Sequence, residues 1–331
     1  MLGRRMLGRS GVGVSPLGLG GAAIGGLYEP VGARRAEDTV RRALERGLRY
    51  LDTAPHYGLG RSESRIGAVL SGVPRDGYVL STKVGRRLRP LRPGEPPDPQ
   101  GFADPPPLRR YWDWSEGGIR ACVEESLSRL GVDRLDVVYL HDPDDHEDEV
   151  YATGYPALAK LREEGLVGAI GAGMNQTAML TRFVHRLDLD VVLCAGRYTL
   201  LDQGALGDLL PECARRGTSV IVGGVFNSGL LADPRPGAPY DYKPAPPDRL
   251  RRARAIARVC AAHGVPLRAA AMRFPLGHPS VAGVIVGCRG PEEVDDNADL
   301  FARDVPAALW PDLRVTGLLD PAAPVPAKEP T

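Results

Sequence analysis

The sequence predicts an α/β fold, a single (β/α)8 TIM barrel with long loops at its C-terminal face. Three observations lead there. Strand-like and helix-like segments alternate eight times with no antiparallel hairpin pattern, which implies a parallel sheet, and eight units favour a closed barrel over an open sheet. Asp52, Tyr57, Lys83 and His141 each fall just past a hydrophobic run, at the strand ends where such barrels carry their chemistry. The chain has 331 residues, and one such barrel commonly needs roughly 250 plus insertions.

The elements follow in order. Residues 15–21 read as a short buried strand, and the helix over 34–46 is ended by Gly47. The strand at 48–51 runs into Asp52-Thr53-Ala54-Pro55-His56-Tyr57-Gly58, where proline and glycine stop the extended chain and leave Tyr57 on a loop. A helix is expected over 62–70, with Ser62 read as its cap. The strand at 78–82 delivers Lys83 before Gly85, a helix over 116–130 stops at Gly131, and the strand at 135–140 delivers His141 before Asp142-Pro143. Helix 155–164 ends at Gly165 and is followed by strand 166–171, helix 176–186, strand 190–194 and helix 205–216, which stops at Gly217. The last two units are strand 219–222 with helical segments within 248–276, and strand 281–286 with helix 291–301.

Two insertions interrupt this rhythm. Residues 86–110 hold eight prolines and six arginines, and residues 232–248 are a second proline-rich stretch. Both fall on the face that carries the four residues, as loops expected to form substrate walls or lids. Residues 1–320 read as one barrel domain and 321–331 as a disordered tail.

Composition excludes several functions. The chain is 43% hydrophobic and 25% charged with a formal net charge of +1, so no global field draws it to nucleic acid or an anionic membrane. Its five cysteines include no C-x-x-C pair, which suits reduced thiols in a cytoplasmic protein rather than zinc or disulfides. No apolar segment follows the basic start and no stretch approaches 18 apolar residues, so a soluble, unexported protein is expected.

Taken singly, an Asp caps turns, a Lys sits on a rim and a His fills a core hydrogen bond. Their repetition at strand ends makes coincidence a poor account. At this point the chain resembles a known family. Asp52-Thr53-Ala54-Pro55-His56-Tyr57-Gly58, Ser81-Thr82-Lys83, and Leu130-Gly131 with Leu140-His141 look like signature segments of the aldo-keto reductases, nearly end to end. Within that family, Leu27-Tyr28-Glu29-Pro30, His141-Asp142-Pro143-Asp144-Asp145-His146, the segment at 195–201 and that at 223–229 are most similar to the aldose 1-dehydrogenase branch, which oxidises L-fucose and related sugars; pyridoxal 4-dehydrogenase is a near relative.

The resemblance implies a catalytic set of Tyr57, Lys83, Asp52 and His141, and elementary chemistry supports it. A free phenol has a pKa of about 10, so Tyr57 needs help to act as a base near neutrality. Lys83 is expected to lower it, Asp52 to hold Lys83, and His141 to hydrogen-bond the substrate oxygen. A metal site on the two imidazoles and three carboxylates of residues 141–146 is the competing reading. A proline-bearing loop lacks the fixed geometry of a helical pair of ligands, and hydride transfer needs no metal, so no metal is expected.

For the cofactor, the family's phosphate segment is matched by Val286-Gly287-Cys288-Arg289-Gly290-Pro291-Glu292-Glu293 and then Asp296-Asn297. NADPH-preferring relatives typically carry a lysine at the position of Gly287 and an arginine at that of Glu293. Both cations are replaced here, which points to NAD, while Arg289 keeps NADP open. The resemblance places Asn175 at the carboxamide, Gly287, Cys288, Arg289 and Glu293 at the phosphate and ribose, Asp296 and Asn297 at the adenine, and Gly223 where a stacking tyrosine is usual. Met174 replaces a serine and Ala195 a glutamine.

Tyr28, His56, Trp112, Trp114 and Arg197 are expected at the pocket mouth, a mixture of flat faces and donors that suits a sugar or pyridine ring. The expected partner is thus a small sugar or carbonyl compound, with the protein a monomer or homodimer. NAD-dependent oxidation of an aldose at C1 to the lactone is the leading function. Pyridoxal oxidation and NADPH-dependent carbonyl reduction are the enzymatic alternatives. A nicotinamide-binding accessory or sensor protein is the non-enzymatic one.

Overall fold

The eight hydrophobic runs form eight parallel strands in chain order, Leu17–Gly20, Tyr50–Asp52, Val79–Val84, Leu135–His141, Val167–Met174, Val191–Ala195, Ser219–Gly223 and Val281–Gly287. The eighth pairs with the first through Val284 and Leu17, and the sheet closes. This computed structural model describes residues 3–327. Strands rich in Val, Ile and Leu are buried on both faces, as a barrel wrapped by helices requires. Tyr50, Val79, Tyr139, Val191, Ile221 and Ile285 fill the inside, while the outward residues pack under helices in a second, larger core.

Local signals set the helix boundaries. The Ser115 side chain accepts from Gly118 N at the start of Glu116–Leu130, and Gly131, at φ 67°, ends it in the left-handed conformation glycine adopts freely. The helical segments expected within 248–276 are two helices, Pro247–Ala262 and Leu267–Arg273, separated where Gly264 and Pro266 interrupt the run. A further helix, Leu309–Val315, has no counterpart in the sequence reading; it buries Leu309, Trp310 and Leu313. Arg5–Met6 and Gly13–Val14 form an antiparallel ribbon whose Val14, with the adjoining Leu7, plugs the N-terminal end of the barrel.

Three expectations are corrected. The insertion at 86–110 is a paired ribbon, Arg86–Pro90 against Leu108–Trp112, so the chain does contain antiparallel pairs. Its arginines find carboxylates that sequence spacing does not reveal, Arg87 with Asp113 and Glu125, Arg89 with Glu95, and Arg110 with Asp98. The second insertion likewise contains a short ribbon, Pro239–Tyr240 with Lys243–Pro244. Residues 321–327, expected within a disordered tail, lie against the barrel: Ala323 is buried and its carbonyl accepts from Arg314 at 2.7 Å. The remainder of that tail lies outside the described residues. Among the described residues, no helix is long and apolar enough to cross a membrane. All five cysteines are free and buried.

Candidate active site

Strand register brings the four residues together. Asp52 ends the second strand opposite Ser81, Lys83 lies in the third opposite Tyr139, and His141 ends the fourth opposite Gly173. Tyr57 follows on a turn closed by its own N–H to the Ala54 carbonyl. Gly58, at φ 63°, brings that turn against Gly25 so closely that any Cβ would strike the Gly25 carbonyl.

The Lys83 Nζ donates to Asp52 Oδ2 at 2.7 Å and to the Thr53 carbonyl at 2.9 Å. It lies 4.5 Å from the centroid of the Tyr57 ring, whose neighbours His141, His56 and Phe102 have centroids 6.0 to 6.2 Å away. Asp52 and Lys83 are 1% and 2% exposed, so their charges are held by each other and by hydrogen bonds rather than by water.

The electrostatics depart from expectation in one respect. Burial pushes the Tyr57 phenol well above its ordinary value, Asp52 and Asp142 push it further, and Arg86 opposes them. Desolvation of the phenolate outweighs the Arg86 charge that opposes it, so the phenol does not take the lowered value the sequence reading assigned. Burial together with the Arg86 and Lys83 charges holds the His141 imidazole well below its ordinary value, and His56 is lowered to about 2 by burial, Arg86 and Arg110. Both imidazoles are therefore neutral across physiological pH.

Sequence reasoning missed Arg86, and it read Asp142 only within the 141–146 segment, not as a partner of Arg86. Arg86 lies 3.3 Å from His56 Nδ1 and donates to Asp142 Oδ2 at 2.8 Å. A guanidinium only donates, so His56 Nδ1 accepts and its proton resides on Nε2. The available signal was position alone, since Arg86 and Asp142 each lie within three residues of a singled-out strand-end residue. Phe102 and Tyr242, on the two insertions, were also missed, and nothing in their local sequence marks them.

The mouth is aromatic. Of the five exposed large hydrophobic residues among those described, three lie here, Tyr28 after the first barrel strand, Trp112 at the end of the first ribbon and Tyr242 in the turn of the second. The Tyr28 and Tyr242 rings are 6.3 Å apart, and the Trp112 ring carries the Arg86 guanidinium 4.5 Å from its centroid. Trp114 is corrected from the mouth to the packed layer behind it: it is 3% exposed and stacks on Trp112 at 5.8 Å. Gly85, at φ 102°, makes room for it, because a Cβ there would overlap the indole. Arg197 forms a two-pronged pair with Asp241, at 2.8 and 3.1 Å, so it anchors the second insertion instead of standing free as a donor.

The proposed cofactor residues gather at the C-terminal ends of strands five, seven and eight. Asn175 follows Val167–Met174, Gly223 ends Ser219–Gly223, and Gly287 to Arg289 lead from the eighth strand toward helix Pro291–Ala302. Arg289 is clasped: its guanidinium meets Glu29 at 2.7 Å and Glu293 at 3.4 Å, and its backbone N–H donates to Glu293 at 3.0 Å. Asp296 is paired with Arg268. Asn297 is buried, with Nδ2 on Cys288 Sγ at 3.4 Å and Oδ1 left without a protein partner. A buried amide oxygen lacking a donor fits an adenine amine, whereas two carboxylates around Arg289 do not fit an added phosphate.

A family model, the Aldo/keto reductase family, matches residues 16–314. The chain belongs to this family. It is thus an oxidoreductase of a family that uses nicotinamide cofactors. It is 45% identical to a D-threo-aldose 1-dehydrogenase of Pseudomonas sp., over 91% of this chain and 93% of the relative. A pyridoxal 4-dehydrogenase of Microbacterium luteolum is 38% identical over 96% and 98% of the two chains, and an L-galactose dehydrogenase of Arabidopsis thaliana is 30% identical over 88% and 86%. The holo form of an aldo-keto reductase from Bacillus halodurans superposes with a TM-score of 0.76 at 25% identity, covering 99% of both chains.

Proposed function

We propose that this aldo-keto reductase oxidises an L-fucose-like aldose at C1 to its lactone, using NAD. The observation that carries the chemistry is the Tyr57 ring set over the Asp52–Lys83 pair, 6.0 Å from the neutral His141 ring. The choice of an aldose follows the kinship with a D-threo-aldose 1-dehydrogenase. Aromatic faces at Tyr28, Trp112 and Tyr242 suit a sugar ring.

In the cyclic aldose, the anomeric O–H proton passes to Tyr57 and the anomeric C–H leaves as hydride, which the nicotinamide accepts when bound; the carbon–oxygen double bond of the lactone forms between them. His141, being neutral, donates to the same oxygen without adding a charge. Lys83 offsets negative charge arising on Tyr57, and Asp52 fixes Lys83 in place. Asn175, Gly223, Gly287, Cys288, Arg289, Glu293, Asp296 and Asn297 would hold the dinucleotide. The carboxylates of Glu29 and Glu293 around Arg289 favour a free 2′-hydroxyl over a 2′-phosphate. Five free cysteines suit the reducing cytoplasm.

Absorbance at the reduced-nicotinamide band tests this reading, with NAD or NADP offered L-fucose, D-arabinose, L-galactose and pyridoxal. Reduction of NAD by an aldose is expected. Its rate should rise with pH above neutrality, because a phenol held above its ordinary value becomes a proton acceptor only as pH rises. No inflection near the free-histidine pKa of about 6.5 should appear. Turnover with pyridoxal alone would move the function to that of the second relative, and activity only with NADPH and carbonyl compounds would contradict both cofactor and direction.

A further inference from the structure

Inside the barrel, a chain of hydroxyls leads to Asp52. Ser81 Oγ lies 2.7 Å from Asp52 Oδ1 and 3.0 Å from the Tyr50 hydroxyl, which lies 2.9 Å from the Tyr139 hydroxyl. Ser81, Tyr50 and Tyr139 are fully buried, among Val79, Val137 and other apolar side chains of the barrel interior.

Counting protons fixes the direction of this chain. A carboxylate has no proton to give, so the Ser81 hydroxyl donates to Asp52 and must accept from Tyr50. Tyr50 has then used its only proton and accepts from Tyr139. Each donor points toward Asp52, and each bond polarises the next. Burial holds both phenols far above their ordinary values, so they remain neutral donors at every working pH. Phenylalanine would fill positions 50 and 139 with less desolvation. The hydroxyls find their use only in the carboxylate at the end of the line.

We propose that Ser81, Tyr50 and Tyr139 are positioning residues, a one-way donor chain that holds Asp52 Oδ1 and thereby sets the positive charge Lys83 presents to Tyr57. The inference rests on Tyr57 being the proton acceptor of the reaction. Without the Ser81 donor, Asp52 draws harder on the Lys83 proton. Less positive charge then faces Tyr57, and its phenolate forms at higher pH. The other groups bearing on Tyr57 are Asp142, Arg86, His141, His56 and Tyr242, and the substitutions leave all of them in place.

The test is the pH profile of NAD reduction for the wild type, Ser81→Ala, Ser81→Thr, Tyr50→Phe, Tyr139→Phe and the double variant Ser81→Ala/Tyr139→Phe. Cofactor binding and urea unfolding serve to select folded protein. Ser81→Ala should move the alkaline limb upward by about one pH unit, a tenfold loss of rate below the limb. Tyr50→Phe and Tyr139→Phe should move it less and in that order, Ser81→Thr should restore it, and the double variant should match Ser81→Ala because the chain is already cut. A limb unmoved in all three single hydroxyl-removing variants, with stability alone reduced, would overturn the inference while leaving the reading of Tyr57 intact. If every hydroxyl-removing variant proves too unstable to assay, a Ser81→Thr profile shifted from the wild type would count against it. A limb that survives in Tyr57→Phe would sink that reading, and the inference with it.

Discussion

Tyr57→Phe is expected to lower turnover by about 10²- to 10⁴-fold while the dissociation constant for the dinucleotide stays near its wild-type value. The substitution removes one hydroxyl and keeps the ring. The ring is what packs against Phe102, His56 and His141 and lies over Lys83, so the pocket retains its shape. The loss should fall on kcat, because the hydroxyl acts on the proton in flight rather than on substrate binding. Near-normal turnover would show that another group moves the proton.

The second large effect concerns the buried ion pair. Asp52→Ala leaves the Lys83 ammonium inside the barrel with the Thr53 carbonyl as its remaining partner, and removing one member of such a pair costs about 3–5 kcal/mol. The urea midpoint should fall accordingly and turnover with it. Asp52→Ala/Lys83→Met removes both charges, and apolar replacement of a whole pair is often neutral. The double variant should therefore recover most of the stability and none of the activity. Recovery of both would show that the pair is scaffold only; recovery of neither would mean that the interior cannot repack around the introduced methionine and that stability there depends on the charges themselves.

The barrel was legible because its signal is redundant. Most strands are short runs rich in aliphatic residues and largely buried on both faces, and glycines such as Gly131 and Gly217 close helices where the chain must turn. The candidate site was legible at Asp52, Lys83 and His141 because their unlike chemistry recurs at one structural place, the end of a strand. What escaped depended on partners far apart in sequence. The ribbon from Arg86 is rich in arginine and lacks a strand's apolar alternation, and its pairing is supported by Asp98, Asp113 and Glu125. Trp114 reads as a mouth residue until the missing Cβ of Gly85 admits it to the packed layer. Arg197 reads as a free donor until Asp241 meets it across 44 positions. Tyr242 reaches the mouth on a backbone with positive φ at both Asp241 and Tyr242, a conformation that Asp adopts more readily than most residues but that the sequence does not announce at Tyr242. The raised Tyr57 phenol is a sum of burial and of nearby carboxylates, and neither the burial nor Asp142 is visible from the motif around Tyr57.

The most direct test of the central claim uses L-fucose carrying deuterium at C1, with NAD as the acceptor and both products analysed by mass. Reduced NAD heavier by one deuterium, formed together with the unlabelled lactone, is the result this account requires. Unlabelled reduced NAD, or a product oxidised at another carbon with the deuterium retained, would contradict hydride transfer from C1.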